Sequence, residues 1–279
     1  MSKKLYSFDF EFYKNTYTDL ERFDIITKEQ CLSHYLHFGK KEGRCCNKDE
    51  MQIKYKRNRE NAISKIDNFV NNCDKFINIL IRTSNRPEYF EKCIQSILDQ
   101  TYKEYHVYVC YDCEESLSYL KKYEEHKQVT YFYVNEDSQE KYKFNLYCNK
   151  LLDKVSNDYI MFIDDDDNFL HKSSLHVINS YLQNYKLITW NFLRPDQLIY
   201  KKNMDESLQL GDIDTACVCF HNDLKKHSSW SDKQYGDFNF YTPIFDICKS
   251  EEKHYINYTL TGTQFDNKIG NYGKSEIVT

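Results

Sequence analysis

Short apolar runs alternate with amphipathic stretches between residues 76 and 170. The run 76–81 is continuous and β-branched, as in strands that are buried on both faces of a parallel sheet. It precedes apolar positions at helical spacing over 90–98, with Pro87 near the first helical turn. Further strands are predicted at 105–112, 129–135 and 159–163, and a further helix around 144–152. This series of strands and helices predicts an α/β sandwich with a mostly parallel central sheet.

The segments outside this region have weaker patterns. Two more strands are predicted at 187–193 and 215–220. Residues 1–48 contain short amphipathic pieces followed by the helix-stop residues Gly39 and Gly43, which predicts a small helical module. Residues 49–75 are charged with apolar positions at helical spacing, and they predict a connecting helix.

Composition excludes several classes of protein. The chain has 279 residues, of which 16% are aromatic and 29% charged, with 7 Gly and 3 Pro. Collagen-like and Pro/Gly-rich low-complexity sequences are therefore excluded, and a folded core is expected. No uncharged apolar run approaches the ~18 residues of a membrane span, and Asp9 and Glu11 interrupt any secretory signal. The net charge of −5 argues against nucleic-acid binding.

The 11 cysteines are scattered along the chain, which favours reduced thiols in a cytoplasmic protein over a disulfide framework. A zinc site in the amino-terminal segment is a weaker alternative, because the spacing there fits no standard zinc finger. Its candidate ligands are Cys31, His34, His37, Cys45 and Cys46.

Four consecutive aspartates at 164–167 follow the predicted strand 159–163. Ligands of parallel sheets bind beyond the carboxyl ends of the strands, so this is a favourable position for a site. Two like charges about 4 Å apart repel by about 4 kcal/mol at an effective dielectric near 20, and a divalent cation would relieve that repulsion. In an extended segment Asp164 and Asp166 point to one side, and oxygen ligands select Mg²⁺ or Mn²⁺ over zinc. The alternative is a solvated acidic turn.

Three segments agree in order and spacing with the nucleotide-sugar half of the GT-A glycosyltransferases of family 2. They are NILIRTSNRPEYFEKCIQSILDQTY, HVYVCYD and KYKFNLYCNKLLDKVSNDYIMFIDDDD. The resemblance implies a Rossmann-like GT-A domain over 76–279, with a nucleotide-sugar half at 76–170 and an acceptor half at 171–279. It also implies a metal-dependent, inverting transfer of one sugar from a UDP-sugar to a glycan, protein or small-molecule hydroxyl, with Mn²⁺ or Mg²⁺ as cofactor.

The same resemblance implies roles for individual residues. Asp112 would accept a hydrogen bond from the uracil imide, Asp164 would approach the ribose, and Asp166 would coordinate the cation that bridges the diphosphate. The implied nucleotide-sugar-binding set is Thr83, Asn85, Arg86, Asp112, Asn149, Asp164 and Asp165.

An inverting transfer needs a carboxylate that deprotonates the hydroxyl of the sugar acceptor. The family usually places this Asp in a Glu-Asp pair, and the nearest match is Asp237, which follows Gly236. Asp232 is the competing candidate. The missing Glu keeps open an alternative function, a non-catalytic nucleotide-sugar or glycan binding module whose acidic loop holds a divalent cation. A nucleotidyltransferase is disfavoured because no Gly-rich loop follows the first strand.

The amino-terminal segments FDFEFYKNTYTDL and HYLHFGKKEGR resemble a short module that accompanies glycosyltransferases in giant viruses and some bacteria. Docking of the sugar acceptor and simple packing are both open as roles for it. For a viral protein, the resemblance implies a location in the host cytoplasm or the virion.

Overall fold

A computed structural model describes residues 7–63, 74–136, 138–139 and 141–264. The chain divides into two compact units. The first comprises the described residues up to Glu60 together with Arg194–Gln197, and the second comprises Asn61–Leu193 and Leu198–Gln264.

The first unit is built from three helices, α1 (Phe10–Thr16), α2 (Lys28–His34) and the amino-terminal part of α3 (Lys48–Ile63). Asp9 caps α1 by accepting a hydrogen bond from the Phe12 amide, and Thr27 forms a capping box with Gln30 at the start of α2. The predicted connecting helix 49–75 corresponds to α3 as far as Ile63, and residues 64–73 lie outside the described residues.

The core of the first unit is aromatic. Tyr13 is fully buried and its hydroxyl is 3.0 Å from Nδ1 of His34. A Cβ added at Gly39 would collide with this hydroxyl, so the close approach of the chain requires glycine. The residues buried with Tyr13 are Tyr17, Leu20, Cys31, Tyr35, Cys45, Cys46 and Met51.

The second unit contains nine strands in one mixed sheet, among the residues that the structure describes. The strands are β1 (Ile77–Thr83), β2 (Tyr105–Tyr111), β3 (Val129–Tyr133), β4 (Tyr159–Phe162), β5 (Asp167–Phe169), β6 (Leu187–Leu193), β7 (Leu198–Ile199), β8 (Val218–His221) and β9 (Lys253–Thr263). Their order is β3-β2-β1-β4-β8-β6-β9-β5, with β7 beside β6.

The four neighbouring strands β3, β2, β1 and β4 all run parallel, as predicted from their continuous apolar runs. Beyond β4 the sheet is mixed, because β8 is antiparallel to β4 and to β6, whereas β6 and β9 are parallel. The short strand β5 pairs with the end of β9. The α/β class predicted from the sequence is therefore confirmed.

In the part of the chain that the structure describes, five α-helices accompany the sheet, α4 (Pro87–Leu98), α5 (Leu117–Leu120), α6 (Tyr147–Leu152), α7 (Ser174–Leu182) and α8 (Gly236–Ile247). The helix α4 begins at Pro87 and buries Phe90, Cys93, Ile94 and Ile97, the face that the helical spacing predicts. Within the described ranges, no helix is long and apolar enough to cross a bilayer.

Candidate active site at the carboxyl ends of the parallel strands

The pairing of β1 with its two neighbours brings the predicted site residues to one edge of the sheet. Thr83, the last residue of β1, is in register with Tyr111 of β2, and Leu80 is in register with Phe162 of β4. The residues that follow β1, β2 and β4 therefore emerge at the same edge. They include the aspartates 164–167, which follow β4 and end at the first residue of β5, and which are called the acidic loop below.

The four side chains of the acidic loop alternate between buried and partly exposed positions. Asp165 and Asp167 are each 3% exposed. The side chains of Asp164 and Asp166 are 23% and 22% exposed. Asp165 and Asp166 lie in a turn, in which the Asp167 amide donates to the Asp164 carbonyl across 2.9 Å, so the extended conformation predicted for this segment is wrong. The turn still leaves two carboxylates with i, i+2 spacing partly exposed.

Asp165 is bound from two sides within the protein. Its Oδ2 accepts a hydrogen bond of 2.8 Å from the hydroxyl of Thr83, and its Oδ1 lies 2.8 Å from Nη1 of Arg86. Burial raises the pKa of Asp165 to about 7, although Arg86 acts in the opposite direction. These contacts tie the acidic loop to the end of β1.

Arg86 makes a second ion pair, with Nη2 at 2.9 Å from Oδ2 of Asp166. Its guanidinium also lies over the ring of Tyr89, 4.7 Å from the centroid. One arginine thus partly neutralises two adjacent carboxylates. No local sequence pattern predicts this contact, because Arg86 and Asp166 are 80 residues apart along the chain.

Arg82 supplies a second positive charge that sequence reasoning missed. Its Nε donates to Oδ1 of Asp164 across 2.9 Å, and its Nη1 donates to Oδ1 of Asn145 across 2.9 Å. The guanidinium also stacks on the ring of Phe144 at 4.8 Å from the centroid. The one sequence signal was a charged residue inside the apolar run of β1.

The backbone of the acidic loop is held by the end of β9. The amide of Gln264 donates to the Asp166 carbonyl across 2.7 Å. Its side-chain Nε2 donates to the carbonyls of Tyr89, Asp165 and Asp167 at 2.9 to 3.3 Å. Burial raises the pKa of Asp167 well above its usual range, with the charges of Asp166 and Asp214 acting in the same direction.

Asp112 lies directly after β2, at the edge that β1 and β4 share. Its Oδ1 is buried and has no hydrogen-bond partner in the part of the chain that the structure describes. Native proteins rarely leave a buried acceptor unsatisfied, since the loss costs about 1–3 kcal/mol. Asn85 is exposed and has φ of +46°, and its amide donates to the hydroxyl of Ser116.

Asn149 has a different partner from the nucleotide sugar implied by the resemblance. Its Nδ2 donates to the carbonyl of Trp230 and its Oδ1 accepts from the amide of the same residue, both at 2.9 Å. Both polar atoms of the Asn149 side-chain amide are therefore engaged with the backbone of Trp230. Asn149 holds the backbone of Trp230 through these two hydrogen bonds, and any support of a ligand by Asn149 would act through Trp230.

The two candidate bases lie close to each other along the chain. Asp237 is in the first turn of α8 and is partly exposed, and Asp232 accepts a hydrogen bond of 3.2 Å from the Ser138 hydroxyl. Among the described residues, no three His, Cys, Asp or Glu side chains are gathered as around a protein-held metal ion. This applies both to the acidic loop and to the cysteines and histidines of the first unit.

Residues 78–207 match the sequence model of the family described as "Glycosyl transferase family 2". This region is similar to that family. The GT-A fold predicted from the sequence is confirmed by this match and by the likeness to solved glycosyltransferase structures.

The structures similar to this chain include S. aureus TarS 1-349, with a TM-score of 0.57 and 14% identity over 68% of this chain and 60% of TarS 1-349. The same protein in complex with UDP-GlcNAc has a TM-score of 0.52 at 13% identity, covering 68% of this chain and 59% of that one. The mannosyltransferase PcManGT from Pyrobaculum calidifontis, in complex with GDP-Man and Mn²⁺, has a TM-score of 0.51 at 12% identity, covering 78% of this chain and 65% of PcManGT.

These likenesses concern the fold. This chain spans about three fifths of TarS 1-349. A sequence comparison with functionally described proteins gives no match.

Proposed function

We propose that this chain is a metal-dependent, inverting glycosyltransferase that moves a single sugar from a UDP-sugar to a hydroxyl of a glycan, a protein or a small molecule. The observation that carries the proposal is the pair of partly exposed carboxylates, Asp164 and Asp166, at the sheet edge where Asp112 keeps a buried oxygen without a partner. In this proposal residues 76–170 bind the donor, and residues 171–279 supply the base and bind the sugar acceptor.

The unpartnered oxygen of Asp112 supports a nucleotide with a hydrogen-bond donor on its base. The uracil imide is such a donor, and its binding would satisfy an acceptor that is otherwise buried at a cost. A site built to hydrogen-bond one group rejects analogues that lack it. Asp112 is thus our candidate for the residue that selects uridine.

The acidic loop fits a Mg²⁺ or Mn²⁺ ion with substrate as the additional ligand. Such ions are commonly held by one or two carboxylates plus substrate phosphates and water, and the described residues offer two carboxylates here but no third ligand. Asp166 would hold the ion, with Asp164 beside it toward the ribose. When bound, the cation supplies Lewis-acid stabilisation of the charge on the leaving diphosphate.

The arginines complement that chemistry with charges that are already in place. Arg86 lies on Asp165 and Asp166, where its guanidinium is within reach of a phosphate bound next to Asp166. Arg82 orients Asp164 through a single hydrogen bond to Oδ1 and leaves Oδ2 available to a ligand. Two guanidinium groups that are already held beside a developing negative charge stabilise it without reorganisation at the moment of reaction.

Asp237 is our candidate for the general base. It is partly exposed at the start of α8, where the helix dipole favours the ionised carboxylate that a base must have. It would deprotonate the attacking hydroxyl of the sugar acceptor. Asp232, which accepts a hydrogen bond from the Ser138 hydroxyl, is the second candidate.

Hydrolysis of UDP-GlcNAc, UDP-glucose and UDP-galactose, in which water replaces the acceptor hydroxyl and takes the sugar as UDP is released, tests the proposal with and without Mn²⁺, and GDP-mannose is the matched wrong donor. We expect Mn²⁺-dependent release from at least one UDP-sugar and none from GDP-mannose. Asp166→Asn should abolish the release, and Asp237→Asn should abolish it while leaving the thermal shift by UDP unchanged. A wild-type chain that is stabilised by a UDP-sugar but never cleaves it would be a binding module, and the proposal would be wrong.

A further inference from the structure

The side chain of Asn145 joins the two parts of the proposed site. Asn145 is 5% exposed. Its Oδ1 accepts the hydrogen bond from Arg82, and its Nδ2 donates to the carbonyls of Ser231 and Lys233 at 3.2 and 3.0 Å. Since Arg82 in turn holds Asp164, one amide links the acidic loop to the segment 231–237, which ends at Asp237.

Gly236 shows how closely this amide is fitted to that segment. A Cβ at Gly236 would collide with Nδ2 of Asn145, and it would come within 2.8 Å of Cγ and 3.1 Å of Oδ1. The φ angle of Gly236 is not positive, so conformational freedom is not the reason for glycine here. The space taken by Asn145 is the reason, and it accounts for the absence of a larger residue before Asp237.

The residue before Gly236 adds a second sign that the segment is held in place. Tyr235 has φ of +61° and ψ of +45°, a left-handed conformation that costs free energy for a bulky residue. Such conformations persist where the surrounding structure fixes them. The hydrogen bonds from Asn145 to the carbonyls of Ser231 and Lys233 lie immediately before the strained residue.

We propose that Asn145 is a positioning residue for sugar transfer, which fixes the segment carrying Asp237 against the acidic loop that binds the donor. The proposal rests on the proposed function above. In this proposal Asn145 contacts neither substrate nor cation. It acts through Arg82 on one side and through the backbone at 231–237 on the other, so its loss displaces the base relative to the donor.

The test compares Asn145→Ala with Asn179→Ala, a matched control in α7. Asn179 is 1% exposed and its Nδ2 donates to the Lys75 carbonyl and the Tyr102 hydroxyl, so its truncation also removes buried hydrogen bonds. The assay is Mn²⁺-dependent UDP release from the UDP-sugar that the wild type cleaves fastest. We expect Asn145→Ala to lower kcat about 10- to 100-fold with the donor KM changed less than about 3-fold, and Asn179→Ala to leave both constants unchanged.

Two further variants separate positioning from a loss of folding. Asn145→Asp keeps an acceptor for Arg82 but places a carboxylate against two carbonyl oxygens, so it should lower kcat as much as Asn145→Ala. Gly236→Ala substitutes a better helix former and should still lower kcat, because the new Cβ displaces the amide. In the double variant the colliding atoms are gone, so Gly236→Ala should have no further effect in the Asn145→Ala background.

The outcomes distinguish this proposal from the proposed function. A wild type that releases no UDP overturns both. If the wild type is active, three results would overturn the positioning role alone. They are a wild-type kcat in Asn145→Ala, a wild-type kcat in Asn145→Asp, and effects of Asn145→Ala and Gly236→Ala on kcat that multiply in the double variant. A fall in kcat with unchanged donor KM and a non-multiplicative double variant supports it.

Discussion

The hydroxyl of Thr83 donates a hydrogen to Oδ2 of Asp165 across 2.8 Å, in a position that is closed to solvent. Asp165 is also paired with Arg86 through its other oxygen. With both oxygens engaged inside the protein, Asp165 is suited to shaping the acidic loop rather than to contacting the nucleotide sugar. Its exposed neighbours Asp164 and Asp166 are then the residues available to a ligand.

Thr83→Val removes this hydrogen bond and keeps the side-chain shape. Because the bond is buried, we expect the free energy of unfolding to fall by about 1–3 kcal/mol. Urea denaturation measures the loss. Thr130→Val is the matched control, since Thr130 is exposed on β3 and its hydrogen bond to His106 lies at the surface. Equal losses in the two variants would contradict the role given to Thr83.

Arg86→Met removes the positive charge shared by Asp165 and Asp166. The carboxylates then repel one another without compensation, so Mn²⁺ alone should stabilise the variant more than it stabilises the wild type. The measurement is the Mn²⁺-induced rise in Tm without nucleotide.

The control for this prediction is Arg44→Met, which breaks ion pairs with Asp19 and Glu42 in the first unit. We expect the Mn²⁺ effect on its Tm to equal that of the wild type. A Mn²⁺ effect in Arg86→Met no larger than in Arg44→Met would show that the arginine and the cation do not compensate the same charges.

Gly39→Ala tests the packing of the first unit. The added Cβ would collide with the hydroxyl of Tyr13, so we expect a loss of about 1–3 kcal/mol in the free energy of unfolding. Combining it with Tyr13→Phe removes the colliding oxygen, and the next ring atom is at an ordinary contact distance of 3.4 Å. In chemical denaturation the alanine should therefore cost less in the Tyr13→Phe background than in the wild type, and an equal cost would refute this account.

His254 gives the second unit a dependence of stability on pH. Its ring stacks between Tyr181 and Tyr185, with centroids 4.5 and 4.6 Å away, and burial lowers its pKa. The unfolded chain therefore binds the proton more readily, and stability falls as pH drops below the ordinary histidine pKa of about 6.5. His254→Phe keeps the stacking and removes the proton site. Urea denaturation at pH 7.5 and pH 5.5 should show a smaller loss in the variant, and an unchanged loss would exclude His254 as its source.

Local pattern was sufficient to predict the parallel strands and α4, because a buried strand needs a continuous apolar run and an amphipathic helix needs one apolar face. The position of the acidic loop after β4 was predicted on the same grounds, but its extended conformation was not correct, because a backbone hydrogen bond from Asp167 to Asp164 closes a turn there. The long strand β9 was missed, since exposed and partly buried polar residues interrupt its apolar positions. The contacts of Arg82 with Asp164 and Asn145 join residues more than 60 positions apart, and no local pattern encodes such pairs.

The acidic loop depends on the end of β9, because β5 pairs with β9 and Gln264 binds three carbonyls beside it. On the ribosome, the four aspartates emerge about a hundred residues ahead of those partners. A nascent chain that has reached only β8 lacks these partners of the loop. Under the proposed function, donor binding would therefore arise late in synthesis, once residue 264 has left the exit tunnel.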